Sequence, residues 1–380
     1  MNKFLNHLGD YLINLNTKKL IFLLLAISFF KTGIWYHPAL WNMLEIAKSP
    51  FENVFNEEVN KYYLYSSWLS PYMAHLLNLT TKLSFFLLHL VLAIFFVISF
   101  IFLIKKTVLK KNQKTSLIVF FVFPVSMTSF YWVGYDSLLL LLFTISIYFY
   151  KNLFINIICS IGIGLQHFEI GVVSLGLLFA CKVLEKLFNE HEKNIKISYI
   201  FIFVYFIGLI LGKIILYKIY ADENLIDGRF DWIHNALLHL VYNFYFNFYN
   251  IIWFSLGIGW LLILKYFFEK KNKYPLIISL LLLIGIMPLV DDHTRVYSAS
   301  SFMLLTYCII CNDNFLKTIE KKELSLIFLL WFIFPYSWVW QGDPRQSMFQ
   351  YNIAYFINYF FDIFNSSVES STIWPFERFK

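Results

Sequence analysis

Charge is scarce in this chain. Only 14% of its 380 residues are Asp, Glu, Lys or Arg, against 59% hydrophobic, whereas a soluble domain carries about a quarter charged residues. Mean hydropathy is +0.63. Cysteine is also sparse. Cys159, Cys181, Cys308 and Cys311 all lie in or beside apolar stretches. "CIIC" has metal half-site spacing but no second pair, so all four read as packing residues and report no redox compartment. There is no Walker loop, no Gly-x-Gly-x-x-Gly after a strand, no His-Glu-x-x-His and no polar stretch long enough for a nucleotide-binding domain. An ATP-driven pump and a cytosolic nucleotide-sugar enzyme are thereby excluded. The formal charge of +7 does not indicate nucleic acid, because the lysines sit in short loops, where they report orientation.

The apolar residues come in blocks such as "LIFLLLAISFF", "FFLLHLVLAIFFVISFIFLI", "ISYIFIFVYFIGLILG" and "LIISLLLLIGIMPLV". These approach or reach the roughly 20 residues of a membrane helix. The first block lacks a small-residue cleavage site and does not read as a signal peptide. The pattern predicts an all-α polytopic protein with about 11 transmembrane helices in a single integral membrane domain, 1–380. The expected spans are 20–36, 83–104, 115–133, 137–150, 152–166, 170–181, 198–217, 247–264, 274–290, 296–311 and 324–340. The pair 152–166 and 170–181 is short, and reads as two crossings or a re-entrant segment. Interfacial helices are expected in the first outer loop and in the tail, where "YNIAYFINYFFDIF" reads alternatively as a twelfth span.

Five lysine-rich connections, at 16–19, 105–114, 182–196, 265–273 and 312–323, mark one side. The positive-inside rule makes it the cytoplasm, with the N-terminus inside and the tail outside. The outward segments are then 37–82, 132–137, 165–169, 218–246, 291–295 and 341–380. They hold Arg229, Arg295, Arg345 and Arg378, the only arginines. Orientation needs only positive charge, whereas a planar fork of donors suits carboxylate or phosphate.

"PLVDDHTRVYSASS" places Asp291, Asp292, His293 and Arg295 between two apolar blocks. Ionisable groups at such depth face a bundle interior. Arg295 is read as pairing with an anionic ligand, with His293 or an aspartate handling a proton, against a tight-turn ion pair. In "GIGLQHFEIG", Gln166, His167 and Glu169 interrupt an apolar run as a base with its orienter, as ligand contacts, or as a structural turn. Asp136 in "YWVGYDSLLLL" caps a helix or serves the site. Glu57 and Glu58 reach a surface site or are solvated charge. The segment 218–246 combines carboxylates, Arg229 and histidines with an aromatic strip that suits a glycan or an interfacial belt.

The first outer loop, "NEEVNKYYLYSSWLSPYMAHLL", followed by an acidic helix start in "YWVGYDSLLLL", resembles the GT-C class of lipid-sugar-dependent glycosyltransferases. The layout also resembles O-antigen polymerases, which act on polyprenyl-linked repeat units. The first resemblance implies acidic roles for Glu57 or Glu58 and for Asp136. The second implies outer-face arginines, here Arg295 with Arg229 or Arg345. The expected activity is extension of a polyprenyl-diphosphate-linked glycan on the outer face of a bacterial inner membrane, alongside other polysaccharide-assembly proteins. Arg295, Arg229 and Arg345, with His167, Glu169 and Gln166, are the expected substrate and diphosphate contacts. Asp291, Asp292, His293, Glu57, Glu58 and Asp136 are the candidate catalytic groups. No cofactor is required, and a divalent metal bridging acid and diphosphate is compatible. The other readings are a lipid-linked glycan flippase or proton-coupled transporter, and a membrane acyltransferase using His167 or His293.

Overall fold

The computed structural model describes residues 2–34, 36, 37, 39–56, 58–188, 193–220, 228–269, 273–340, 342–347 and 376–378. Helices α1 (Asn2–Asn14) and α2 (Thr17–Thr32) meet at a 116° bend, where Asn16 caps α2 by accepting from the Lys18 amide at 2.9 Å. Short helical pieces fill the first expected outer loop: α3 (Leu40–Lys48), a 3-10 turn at Val59–Ser67 and α4 (Leu69–Leu76). Helix α5 (Lys82–Thr107) starts on a Thr81–Ser84 capping box and ends on Lys105 and Lys106, which suit the negative end of its dipole. The expected span 115–133 is broken into α6 (Gln113–Val122) and α7 (Pro124–Tyr131). Pro124 lacks an amide hydrogen and holds Phe123 extended, at φ −71° and ψ 138°.

Next come α8 (Asp136–Tyr148), α9 (Leu153–Leu187), α10 (Tyr199–Ile219), α11 (Gly228–Phe246), α12 (Phe248–Leu256) and α13 (Gly259–Glu269). Gly257, at φ +51°, supplies the left-handed backbone of the 85° bend that splits the expected span 247–264. The chain continues through α14 (Tyr274–Ile286), a 3-10 turn at Met287–Leu289, α15 (His293–Leu305), a π-helical turn at Thr306–Ile310, α16 (Asp313–Leu316) and α17 (Lys321–Ile333). The last expected span, 324–340, ends early. Pro335 follows, and the strand-prone aromatics of "SWVW" form β1 (Ser337–Trp340). It pairs antiparallel with β2 (Asp343–Ser347), which pairs with β3 (Phe376–Arg378). This small sheet amends the all-α expectation. Residues 221–227 and 348–375, parts of the expected glycan loop and tail helix, lie outside the described residues.

Two helices, Lys82–Thr107 and Tyr199–Ile219, are long and apolar enough to cross a membrane, and up to four spans result if each bent pair counts as one. Other apolar helices, such as Gln113–Val122 and Asp136–Tyr148, are shorter.

The two short arms at 152–166 and 170–181 form one helical run that breaks at His167, at φ −168° and ψ 77°. The arms run in opposite directions. The first pairs head to tail with α8: Asn156 Nδ2 donates to the Phe149 carbonyl at 3.0 Å and Gln166 Nε2 to the Tyr135 carbonyl at 2.8 Å. The second runs alongside α15, with Ser174 donating to the Ser300 carbonyl at 2.7 Å and Cys181 beside Cys308.

The five lysine-rich connections meet at one pole. Asp313 accepts from the Leu109 amide at 3.1 Å and from the side chains of Asn112 and Asn194. Lys114 donates to the Ile13 carbonyl. Lys321 pairs with Asp10 at 2.6 Å and Lys265 with Glu323 at 2.8 Å. Helix α5, with 26 residues and about 1.5 Å rise each, separates this pole from the opposite one.

Near its turn, the first arm of α9 meets α10 backbone to backbone. A Cβ on Gly164 would lie 2.5 Å from the Leu209 carbonyl oxygen, and one on Gly212 would strike the Ile161 oxygen. Gly164→Ala and Gly212→Ala should each cost about 1–3 kcal/mol by overpacking, read as a lower thermal midpoint of the detergent-solubilised chain. Gly176→Ala, with open space at its Cβ position, should not lower it.

Candidate functional site

At the pole opposite the lysines lies a cavity of about 530 Å³. His37, Tyr135, His167, Glu169, Asp291, Asp292 and Arg295 supply its polar lining. Trp132, Trp340, and Leu283, Ile286 and Met287 from the α14 side give it apolar surface.

Arg295 organises the site from the first turn of α15. Its Nη1 donates to both oxygens of Asp136, at 3.0 and 2.8 Å, and its Nε donates to Asp292 Oδ2 at 2.6 Å. The guanidinium lies 5.2 Å from the centre of the Tyr135 ring. Arg295 is 7% exposed and Asp136 2%. Charged pairs so enclosed are held by geometry and hydrogen bonds, since desolvation opposes them. Asp136 is the first residue of α8 and makes no capping bond with its side chain, so its carboxylate serves Arg295 instead of the helix end.

The carboxylates perturb and are perturbed. Burial pushes the Asp292 carboxyl up to about 6, against the pull of Arg295. Burial holds His37 well below its usual value, with the charges of Arg295 and His167 adding to the effect. His37 Nδ1 accepts from the Ala39 amide at 3.1 Å, and its Nε2 lies 3.3 Å from the Tyr135 hydroxyl. Across the cavity lining, His167 Nδ1 lies 3.4 Å from Glu169 Oε2, and Lys213 reaches Glu169 Oε1 at 3.5 Å.

Several expected residues take other roles. Gln166 is a pin: its carboxamide accepts from the Ser70 amide at 2.8 Å and donates to Ser70 Oγ and the Tyr135 carbonyl, so it is spent on the scaffold and contacts no ligand. His293 is fully buried and does not line the cavity. It packs near Phe244, and burial pushes its imidazole down to about 4. Glu58 is exposed and paired with Lys61 at 2.6 Å, away from the cavity. Arg295 lines the cavity with two of its nitrogens, Nη1 and Nε, already engaged by Asp136 and Asp292. Arg345 in β2 stacks on Trp340, 5.4 Å from the ring centre, behind the cavity wall. Arg229 belongs to α11, but its side chain lies outside the described residues, as does Glu57. Among the described residues, only Cys181, Glu185 and Cys308 bring three metal-ligand atoms within 4.8 Å of one another. The carboxylates of the cavity form no such set.

A second cavity, of about 390 Å³, meets the opposite end of β1: Ser337 and Tyr336 line it, while Trp340 lines the first. Trp132, in the lining of the first cavity, meets Trp338 edge to face, 5.1 Å between ring centres. Trp253, Phe254, Trp331 and Phe334 make this second cavity apolar, and its one cation is Lys31 at the end of α2. Lys31 is 2% exposed, with Nζ 5.1 Å from the Trp331 ring centre and no carboxylate paired with it among the described residues. Lys31 falls inside the expected span 20–36, where the hydropathy of the block conceals it. His37 was legible only as the polar residue that follows the first span.

No protein-family model matches the chain, and neither a curated protein nor a solved structure is significantly similar to it.

Asp136→Ala leaves Arg295 with one carboxylate and should cost about 1.5–3 kcal/mol, as for a lost charged hydrogen bond. Combined with Arg295→Met it should lower the thermal midpoint by less than the two single losses summed. If the two losses simply add, the ion pair is not the organising contact.

Proposed function

We propose that the chain is a membrane glycosyltransferase that extends a polyprenyl-diphosphate-linked surface glycan at the cavity beside Arg295. The observation that carries this reading is the pair of unlike cavities at the two ends of β1, one acidic and aromatic, the other apolar with the buried amine of Lys31. The first suits a hydroxylated acceptor and donor sugar, with Trp132, Tyr135 and Trp340 as flat apolar faces. The second suits a lipid with an anionic head. In the reaction an acceptor hydroxyl attacks the anomeric carbon of the donor. A new C–O bond forms, the bond from that carbon to the diphosphate oxygen breaks, and the lipid diphosphate leaves with the electron pair.

Asp292 takes the hydroxyl proton. A carboxyl near 6 is ionised at neutral pH yet basic enough to accept a proton in the transition state. Asp136 fixes Arg295, which in turn orients Asp292. Lys31 replaces Arg295 as the partner of the leaving diphosphate, since no carboxylate is paired with it among the described residues and an anion bound beside it holds the amine protonated. In this reading the bundle crosses a bacterial inner membrane eleven times. Its lysine-rich pole is cytoplasmic, the cavities face outward, and other polysaccharide-assembly proteins supply the acceptor. A carrier for the same lipid is the second reading, favoured by the bent pairs at Asn16 and Gly257, since carriers use broken helices.

Three measurements test the proposal. In membranes given a lipid-linked donor, Asp292→Asn should abolish chain extension, and the wild-type rate should rise with pH through about 6 as the base ionises. Lys31→Met should raise KM for the donor about 10- to 100-fold, the loss of a charged hydrogen bond. Full extension by Asp292→Asn combined with lost lipid translocation would favour the carrier. For sidedness, a membrane-impermeant thiol reagent added outside should label Leu77→Cys and not Leu109→Cys, both exposed positions at opposite poles. The reverse pattern would invert the assignment.

A further inference from the structure

The lysine-rich pole holds a buried cluster that the proposed chemistry does not use. Cys181 and Glu185 lie one helical turn apart on the second arm of α9, beside the π-helical turn that carries Tyr307 and Cys308. The two sulfurs are 3.6 Å apart, and neither residue is exposed. Cys308 does not associate with Cys311, its neighbour in "CIIC", but with a cysteine 127 positions earlier. Lys193 Nζ lies 3.2 Å from Cys308 Sγ and 2.9 Å from Glu185 Oε1, and the Tyr307 hydroxyl donates to Glu185 Oε2 at 2.7 Å.

Packing cysteines need no ammonium. A cation in contact with sulfur favours the thiolate, which is the reactive form. Lys193 also contacts both the sulfur and the carboxylate that a metal ion would need, so the cation of this cluster is already supplied by the chain. The π-helical turn is a second pointer, since such turns are rare and concentrate at functional sites.

We propose that Cys181 and Cys308 form a reversible dithiol that hydrogen peroxide oxidises to a disulfide, with Cys308 as the attacking sulfur. Enclosure selects the oxidant: a small uncharged peroxide can reach the sulfurs, and a bulky disulfide cannot. The Cys308 thiolate attacks one peroxide oxygen. An S–O bond forms, the O–O bond breaks, and hydroxide leaves to take up the proton that the thiol had released. The Cys181 sulfur then attacks the sulfenic sulfur of Cys308. The S–S bond forms, the S–O bond breaks, and the departing hydroxyl takes the Cys181 proton. Two thiols and one peroxide give one disulfide and two waters, with two electrons passing from sulfur to oxygen. A dithiol reductant reverses the change.

The test treats the full chain in detergent with hydrogen peroxide, then maps alkylated peptides without reduction. A Cys181–Cys308 cross-link that dithiothreitol removes is expected, with Cys159 and Cys311 still alkylated. Cys181→Ser should stop at a sulfenic acid on Cys308, trapped by dimedone present as the chain is denatured, and Cys308→Ser should leave Cys181 unoxidised. Lys193→Met should slow cross-linking at neutral pH by at least about tenfold, the thiolate lost when a thiol pKa rises by about one unit. Lys193→Arg should restore the rate in a chain whose circular dichroism matches wild type. Cross-linking no faster than oxidation of Cys159, or an equal rate with glutathione disulfide, would overturn the proposal. So would a zinc ion that copurifies with wild type and is lost in either serine variant.

Discussion

A guanidinium shut away from water must find its counter-charge inside the protein, and Arg295 finds it in Asp136 and Asp292. The requirement fixes more than one side chain. Asp136 opens α8 and Arg295 lies in the first turn of α15, so the contact sets the relative height of two helices 159 residues apart in sequence. Asp292 completes the bracket from the residue before α15, and its backbone bridges to Trp340 of the sheet. The first arm of α9 is tied to the same spot by Gln166, which grips Ser70 and the Tyr135 carbonyl together. Such a network contributes little net stability once desolvation is counted, but it penalises any arrangement that leaves one member alone.

Division of labour between the two cavities follows from charge. In the first, Asp136 and Asp292 exceed the one arginine they surround, and among the described residues Lys213 is the other nearby cation, already at Glu169. In the second, Lys31 has an aromatic face and no acid among the described residues. Strand β1 contributes to both, Trp340 to the first cavity and Ser337 to the second, with Trp338 and Val339 buried.

Much of the polar site was legible because ionisable residues are conspicuous in apolar sequence. Asp136, His167, Glu169, Asp291, Asp292 and Arg295 all stood out, and five of these six line the first cavity, with Asp136 directly behind. The five lysine-rich connections converge as their spacing implied. Sequence could not show which charges meet, and so the bonds of Arg295 to Asp136 and Asp292 went unforeseen. Lys31 was absorbed into the first apolar span. Cys181 and Cys308 looked inert, since their partnership depends on a chain reversal at His167 that no single residue announces. Of the helix breaks, Pro124 and Gly257 followed from backbone chemistry and were concealed within uninterrupted apolar runs. Strand β1 was absorbed into the hydropathy of the span before it.

The glycine contact between α9 and α10 bears on how anything enters. With Gly164 and Gly212 pressed against the opposing backbone, the wall bearing His167 and Glu169 is braced from behind and has no slack to swing outward. The facing surface is of another kind: Leu283, Ile286 and Met287 leave a helix that dissolves into a 3-10 turn at Pro288, and Ile233 arrives from α11. The cavity therefore has one wall braced backbone to backbone and another held by side-chain packing alone.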